Sequence, residues 1–272
     1  SNQIAKTVLI NSSKNLVPTT LELGGKSPTI ISDDADLHLA AKRILFAKTL
    51  NAGQICLAPD YVFVKSGLED SFIDELKQVF NYFYPENGQQ EYTSMVNDDH
   101  FIRINSYIED AVSKGANVLT LGKFDTQDQN LITTKVLLNV SSEMEVMKKE
   151  IFGPILPILS YENLEEVVNY INSYDRPLGL YFFGHRKKDH QYIIENTRSG
   201  GITFNDAVFH LLQSRLPFGG VGESGYGCYH GYEGFLNFSN LKSIYYQTNL
   251  DLFLSLVRPP RGKYFKFVSR MM

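Results

Sequence analysis

Tryptophan is absent from this chain of 272 residues, cysteine occurs only at Cys56 and Cys228, and positive charge is not in excess. Two cysteines form one disulfide bond at most, and such sparse usage is typical of a protein in a reducing cytoplasm. The formal net charge of −4 gives no general electrostatic attraction to nucleic acid. No uninterrupted apolar run approaches the roughly 20 residues that cross a bilayer. We therefore expect a cytoplasmic protein with no nucleic-acid partner and no place in a membrane.

Metal-ligand patterns are also missing from the sequence. The six histidines show no ligand spacing with the two cysteines. Because such spacing is the sequence signature of a zinc site, we predict no catalytic metal.

Short segments with β-forming residues alternate with helical patterns along most of the chain. Strands are predicted at residues 19–23, 27–31, 61–65, 117–121, 136–140, 155–159, 178–183 and 202–204. Helices are predicted at residues 36–50, 68–83, 98–114, 164–171 and 188–197. This alternation predicts an α/β fold with a largely parallel sheet flanked by helices.

The last part of the chain has a different texture, which begins at Ser239. Residues 242–246 (KSIYY) resemble an exposed edge strand, and the segment after them is basic and aromatic. Exposed edges of this kind pair with another subunit, so we predict an oligomerisation strand followed by a C-terminal arm. The basic residues are Arg258, Arg261, Lys263, Lys266 and Arg270. A solvated or subunit-packing role is favoured for them over contact with a membrane surface.

Cys56 follows the polar, flexible residues NAGQ at the end of a predicted helix. A thiol becomes a nucleophile at neutral pH when a helix N-terminus, a cation or oriented amides stabilise its anion. A helix that starts just after Cys56 would supply such help. The alternative is a small buried apolar residue, the usual state of a free cysteine. Cys228 is expected to be a bystander.

Glu22 interrupts an apolar strand and precedes two glycines in the segment TLELGGKSP. A carboxylate among apolar residues has a raised pKa and suits general-base catalysis. The alternative is a solvent-facing or salt-bridged residue, which the residue type alone favours.

Residues 220–225 match the pattern G-x-G-x-x-G of dinucleotide-binding turns. That pattern carries meaning only between a strand and a helix. Here Pro217 and Phe218 precede it and another glycine-rich stretch follows. We therefore predict an ordinary loop rather than a dinucleotide site.

Four segments, in order, resemble the aldehyde dehydrogenase superfamily. They are LELGGKSP at 21–28, LNAGQIC at 50–56, EIFGPILPIL at 150–159 and LPFGGVGESGYGCYHG at 216–231. The last one is similar to the late loop of the class-3-like branch. Within that branch, LNAGQICLAPDYVFV, RPLGLYFFG and LVRPPRGKYF are most similar to the bacterial coniferyl aldehyde dehydrogenases. The resemblance runs from about residue 17 to the end of the chain.

The resemblance implies a mechanism and a cofactor. Cys56 would attack an aldehyde to form a thiohemiacetal, which would pass hydride to NAD or NADP and leave an acyl-thioester. Glu22 would then activate water to release the carboxylic acid. Glu150 would bind the ribose hydroxyls on the nicotinamide side, and Phe152 would pack near that ribose. Leu23 and Gly24 are also implied as cofactor contacts.

The resemblance places the late loop near the aldehyde, with Phe218 close to the catalytic centre. Asn205 and His230 are further candidates for the substrate pocket. Four apolar residues are candidates for an aromatic aldehyde tunnel, with core packing equally open. They are Phe204, Phe209, Leu211 and Leu212.

The resemblance also divides the chain. Residues 1–22 would end a truncated dinucleotide-binding domain, residues 23–238 would form the catalytic domain, and residues 239–272 would form the oligomerisation strand and tail of a homodimer. The chain alone would then bind cofactor poorly and turn over little. Two alternatives stay open: a CoA-acylating relative, against which Glu22 argues, and a non-catalytic binding or structural fragment. A catalytic, low-pKa Cys56 would react with iodoacetamide well before Cys228.

Overall fold

A computed structural model of the chain describes residues 2–85, 88–124, 128–249, 259 and 265–271. The chain divides into two compact units, residues 1–238 and residues 239–272. The first unit contains every strand of the described residues.

A seven-stranded sheet organises the first unit. Its strands are β2 (Pro28–Ile31), β3 (Tyr61–Lys65), β4 (Asn117–Thr120), β5 (Lys135–Leu138), β6 (Ile155–Tyr161), β7 (Gly179–Phe183) and β8 (Gly201–Phe204). They lie side by side in the order β4-β5-β6-β3-β2-β7-β8. All neighbours are parallel except β4 and β5, which are antiparallel. A separate antiparallel pair joins β1 (Leu21–Glu22) to β9 (Gly225–Tyr226). The predicted α/β fold with a largely parallel sheet is confirmed.

Helices pack on both faces of the sheet. The helices of the first unit are α1 (Asn2–Ser13), α2 (Leu37–Thr49), α3 (Glu69–Phe83), α4 (Asp98–Ser113), α5 (Glu145–Lys148), α6 (Leu164–Asn172), α7 (Lys187–Asn196) and α8 (Gly231–Asn237). Among the described residues, every helix is too short or too polar to cross a bilayer.

Polar side chains cap the starts of three helices, α2, α4 and α6. Asp36 accepts a hydrogen bond from the Leu39 amide at 3.0 Å, at the start of α2. Asn97 and Asn163 cap α4 and α6 in the same way. Each cap satisfies an amide that has no partner inside the helix. Helix α1 was not predicted, and its apolar residues Ile4, Val8 and Ile10 are exposed rather than packed.

Two apolar cores lie on opposite faces of the sheet, because alternate residues of a strand point to opposite sides. In β7, Tyr181 and Phe183 belong to the core that packs against α2 and α3. Leu180 and Phe182 belong to the core that contains α4 and α6 residues. The partly buried Cys56 packs against the first of these cores.

The second unit contains a short helix, α9 (Phe265–Val268). Residues 242–246, predicted as a strand, pair with no strand among the residues that the structure describes. Ile244, Tyr245 and Tyr246 are exposed. Of the predicted basic residues, Arg258, Arg261 and Lys263 lie outside the described residues.

Candidate active site

Three segments with predicted site residues meet at the amino-terminal edge of the parallel sheet. They precede β2, β3 and β6 directly, and parallel strands begin at the same edge. Asp60 joins all three segments. Its amide donates to the Ser27 carbonyl at 2.9 Å, and its carboxylate accepts from the Ile151 amide at 2.9 Å. Ligand sites of open α/β sheets lie more often at the opposite edge.

The loop that presents Cys56 follows a left-handed turn at the end of α2. Asn51, Ala52 and Gly53 have φ values of 52°, 53° and 74°. A Cβ atom on Gly53 would lie 2.4 Å from the Gly153 carbonyl oxygen, so the turn packs against the segment of Glu150. Gln54, which follows this turn, is anchored through its side chain: its side-chain oxygen accepts a hydrogen bond from the Val96 amide at 3.0 Å. The backbone before Cys56 is therefore rigidly held.

Glu22 is positioned by the late glycine-rich loop. It lies opposite Gly225 in the β1–β9 pair, and the next amide, of Leu23, donates to the Ser224 carbonyl at 3.0 Å. Residues 220–225 form a short 3₁₀ turn and the start of β9, and the following α-helix begins only at Gly231. This confirms that the G-x-G-x-x-G match is a loop without the helix that a dinucleotide turn needs.

The Glu22 carboxylate lies within hydrogen-bonding reach of the Cys56 thiol. Burial raises the pKa of Cys56 to about 12, and the charge of Glu22 and its hydrogen bond with the thiol add to the rise. The charge of Glu150 acts in the same direction, and only the backbone amide of Cys56 itself opposes it. The residues after Cys56 form a turn, not a helix. The expectation of a low-pKa thiol at a helix N-terminus is therefore wrong.

Iodoacetamide should label Cys56 slowly near neutral pH. A pKa of about 12 instead of the usual 9.0 makes the thiol about a thousandfold less ionised. A more basic thiolate is also more nucleophilic, which offsets part of the lower ionised fraction. We therefore expect labelling about 30-fold slower than that of N-acetylcysteine. The rate should rise about tenfold per pH unit until the thiol ionises. Peptide mass spectrometry over a pH series measures Cys56 and Cys228 separately. A neutral rate equal to that of N-acetylcysteine would contradict the raised pKa.

Glu150 and Gly24 are brought together as the predicted cofactor residues. A Cβ atom on Gly24 would lie 2.2 Å from the Glu150 Oε1 atom, so the carboxylate rests where a side chain would stand. Burial and the charge of Asp60 raise the pKa of Glu150 to about 7, against the Gly25 amide and nearby cations. A cavity of about 420 Å³ lies beside them, with Lys26 and Arg176 in its lining.

Phe152 lies in the left-handed region, with φ of 47°, and 36% of it is exposed. Such a conformation costs a non-glycine residue about 1–2 kcal/mol. Arg103 holds it, because its guanidinium donates to the Ile151 carbonyl at 2.7 Å and to the Phe152 carbonyl at 3.2 Å. The side chain is thereby presented at the surface next to the Glu150 segment.

A buried charge cluster beneath this site was missed in the sequence. Lys48 is 1% exposed, and burial lowers its pKa to about 8, with Asp60 and Glu150 opposing the shift. Lys26 forms an ion pair with Asp60 and donates to the Val146 carbonyl at 2.8 Å. The sequence contained one sign of this buried lysine: Lys48 falls on the apolar stripe of α2, whereas lysines are normally on the solvent-exposed face of a helix.

Aromatic rings surround the predicted pocket residue Phe218, which is buried. The rings of Tyr229 and His230 lie 5.5 and 5.3 Å from it, between centroids. Burial raises the pKa of Tyr229, and the charges of Glu22 and Cys56 add to the rise, so this tyrosine lies in the same part of the site as those two residues. Sequence reasoning had not singled out Tyr229.

Asn205 lies at the other edge of the sheet, directly after β8 ends. Its side-chain oxygen accepts from the Gly184 amide at 2.8 Å, and its side-chain nitrogen donates to the Gly184 carbonyl at 2.9 Å. The structure therefore does not bring Asn205 to the pocket. Phe204 packs with the core on the other face of the sheet, stacked on His190 at 4.2 Å, and is not part of a tunnel beside Cys56.

The other tunnel candidates lie on the Cys56 side of the sheet. Leu211 packs against the same core as Cys56, and Leu212 is exposed. The ring of Phe209 lies 6.1 Å from that of Phe46, which is exposed near the end of α2. Among the described residues, no three histidine, cysteine or acidic side chains converge as metal ligands.

Comparisons with known proteins agree with this geometry. Residues 1–244 match the family described as "Aldehyde dehydrogenase family". The chain is 42% identical over 269 residues to the "Probable coniferyl aldehyde dehydrogenase" of Caulobacter vibrioides, covering 97% of this chain and 56% of that protein. It is 41% identical over 265 residues to the "Coniferyl aldehyde dehydrogenase" of a Pseudomonas species, covering 96% and 55%.

A solved structure is also similar, that of the substrate-bound state of Staphylococcus aureus AldH. It has a TM-score of 0.87 and 37% identity, and the match covers 100% of this chain and 58% of that one. The chain thus spans about half the length of the relatives it matches. The family match covers most of the chain, and the chain belongs to the aldehyde dehydrogenase family.

Proposed function

We propose that this chain carries the catalytic part of an NAD(P)+-dependent aldehyde dehydrogenase, which oxidises an aldehyde to its carboxylic acid. One observation supports the proposal above the others: the Glu22 carboxylate lies within hydrogen-bonding reach of the Cys56 thiol. A nucleophile beside a general base is the arrangement that covalent catalysis on a carbonyl needs.

The first step is the attack of sulfur on the aldehyde carbon. Because the raised pKa keeps the proton on Cys56 at neutral pH, the attack needs a base, and Glu22 accepts this proton as the carbon–sulfur bond forms. The carbonyl oxygen becomes the oxyanion of a thiohemiacetal. The backbone amide of Cys56, which faces its own sulfur, is positioned to stabilise that oxyanion. Glu22 is exposed and returns its proton to solvent.

The residues at the Glu150 segment fit a nicotinamide cofactor. Gly24 leaves room for the Glu150 carboxylate, which can accept hydrogen bonds from ribose hydroxyls, and Phe152 offers an exposed ring beside them. Leu23 lies between Glu22 and this contact. NAD or NADP, when bound, supplies the hydride acceptor that converts the thiohemiacetal into a thioester. The rest of the cofactor site would be formed by a region that the relatives have and this chain does not span.

Hydrolysis of the thioester completes the reaction. Glu22 accepts a proton from water, the water oxygen adds to the acyl carbon, and the sulfur of Cys56 leaves with a proton. The net change is aldehyde and water to carboxylic acid, with one hydride that a bound cofactor would take up and one proton released to solvent through Glu22. A CoA-acylating enzyme would need no base that activates water, and the presence of Glu22 disfavours that alternative.

We propose an aromatic aldehyde of the coniferyl type as the substrate. The rings of Phe218, Tyr229 and His230 form an apolar wall beside the catalytic pair, and aromatic rings pack favourably on such walls. The names of the Caulobacter and Pseudomonas relatives support the same class.

We also propose a division of labour along the chain. Residues 1–22 end a cofactor-binding region, residues 23–238 form the catalytic domain, and residues 239–272 join two subunits of a cytoplasmic homodimer. The exposed apolar residues Ile244, Tyr245 and Tyr246 suit pairing with another subunit.

Glu22→Gln in the full-length protein should slow both the attack of Cys56 on the aldehyde and the release of the acyl group. The amide accepts a proton neither from the thiol nor from water, so we expect steady-state turnover to fall about 10²- to 10⁴-fold. Mass spectrometry of the intact protein, sampled over time after mixing with cofactor and an aromatic aldehyde, follows the acyl group on the peptide of Cys56 as it forms and is released. Glu109→Gln, on the exposed face of α4, is the matched control and should behave as the wild type. Formation and release of the acyl group at the wild-type rates would rule out Glu22 as the base, and a wild-type enzyme that forms no acyl group on Cys56 would overturn the proposed function.

A further inference from the structure

Tyr181 is a fully buried tyrosine on β7 that none of the steps above uses. Its side chain lies on the sheet face of the core that Cys56 packs against. A buried phenol hydroxyl needs a hydrogen-bond partner, and the identity of that partner shows which segment the hydroxyl holds in place.

The partner is the loop that carries the nucleophile. The Tyr181 hydroxyl donates to the Leu57 carbonyl at 2.6 Å, and Leu57 directly follows Cys56. Leu57 is itself fully buried, so the bond is shielded from water. An interior strand of the sheet, β7, thus fixes the backbone one residue after the thiol.

Gly179 makes this reach possible. It lies two residues before Tyr181 on the same face of β7. A Cβ atom on Gly179 would lie 2.7 Å from the Tyr181 hydroxyl oxygen and 2.9 Å from the Leu57 Cδ2 atom. The phenol therefore folds back along the strand, toward the amino-terminal edge, over a position that only glycine leaves open.

The ring of Tyr181 also packs against a second loop. Its centroid lies 6.3 Å from that of His210, two residues after Val208. Val208 has φ of 69°, an outlier for a β-branched residue that persists only where its surroundings hold it. It opens the segment that leads through Leu211 to Phe218. The Tyr181 side chain therefore contacts both the nucleophile loop and the pocket segment.

We propose that Tyr181 is a positioning residue for the reaction, whose hydroxyl ties the Cys56 loop to β7, whose ring packs on the pocket segment, and which thereby keeps the thiol near Glu22. The inference rests on the proposed function for its catalytic consequence, but the position of the thiol is measurable without turnover. Loss of the hydroxyl leaves the Leu57 carbonyl without its partner. The loop then relaxes, and Cys56 becomes more exposed and less close to Glu22.

The test compares Tyr181→Phe with Tyr161→Phe. Tyr161 is also buried and its hydroxyl also donates to a backbone carbonyl, that of Ile31 at 3.1 Å, but at the far edge of the sheet. In the 272-residue chain at neutral pH, Tyr181→Phe should speed iodoacetamide labelling of Cys56 at least about threefold, within the limit of about 30-fold set by the usual thiol pKa. Tyr161→Phe should leave the rate unchanged.

In the full-length protein the same variant should act in the opposite direction on turnover. Because small misplacements of reacting groups cost up to about a hundredfold in rate, we expect kcat to fall at least about tenfold in Tyr181→Phe, with the KM for aldehyde changed less than about threefold. Circular dichroism and thermal unfolding establish that both variants are folded.

Each outcome bears on Tyr181 separately from the proposed function. Unchanged labelling of Cys56 in Tyr181→Phe overturns the inference, and so does an equal rise in Tyr161→Phe, which would mean general loosening. If the labelling rises but kcat stays within about twofold in an active full-length enzyme, the positioning role is overturned as well. A full-length wild type that oxidises no aldehyde would defeat the proposed function and leave the labelling result standing.

Discussion

Cys56→Ala should abolish aldehyde oxidation by the full-length protein, whereas Cys228→Ala should leave most of it. Removal of a covalent nucleophile typically costs about 10⁴-fold or more in kcat, because no other group nearby forms the intermediate. Cys56 has the Glu22 carboxylate within hydrogen-bonding reach and its own backbone amide facing the sulfur. In the proposed mechanism these two partners serve as the base for the attack and the donor to the oxyanion.

The measurement is the formation of reduced cofactor in the presence of an aromatic aldehyde. Cofactor affinity, measured by fluorescence titration, should be nearly unchanged in Cys56→Ala, since the thiol takes no part in holding Glu150 or Phe152. Residual turnover of Cys56→Ala above about a hundredth of wild type would show that the thiol is not the nucleophile. A similar loss of turnover in Cys228→Ala would contradict the assignment of Cys56 alone as the nucleophile.

Much of the fold follows from local sequence. The buried runs of β2 and β7 and the capping residues Asp36, Asn97 and Asn163 place strands and helices close to their observed bounds. Local signals of this kind depend on neighbours in the chain, so a single sequence contains them. Helix α1 was missed because its exposed apolar residues do not show the pattern of a packed face.

The electrostatics of the site depend on contacts that local sequence does not contain. Glu22 reaches Cys56 because β1 pairs with β9, and their partners are about two hundred residues apart in the chain. That pairing, together with burial, raises the pKa of Cys56, whereas a helix expected to start just after Cys56 suggested a stabilised thiolate. Asn205 was misplaced for a similar reason: its proximity in sequence to the late loop says nothing about the sheet edge at which β8 ends.

Gly53→Ala should destabilise the chain strongly and displace Cys56. A methyl group at Gly53 meets two penalties at once. Alanine at φ of 74° costs about 1–2 kcal/mol, and a Cβ atom 2.4 Å from the Gly153 carbonyl oxygen forces one backbone segment away from the other, which typically adds about 1–3 kcal/mol. We therefore expect the free energy of unfolding to fall by about 3 kcal/mol, and turnover to fall with it because the turn sets the position of the nucleophile.

Gly67→Ala separates the two penalties. Gly67 has φ of 88°, but a Cβ atom there would have no heavy atom within 4 Å. The free energy of unfolding of Gly67→Ala should therefore fall only by the conformational penalty, about 1–2 kcal/mol, and the variant should keep its activity. Urea unfolding of the two variants and the wild type, followed by circular dichroism, gives the comparison. Equal losses in both variants would mean that backbone conformation alone explains Gly53. A larger loss in Gly53→Ala, with slower turnover per folded molecule, would mean that the close approach of the Cys56 turn to the Glu150 segment holds the catalytic and cofactor residues in register.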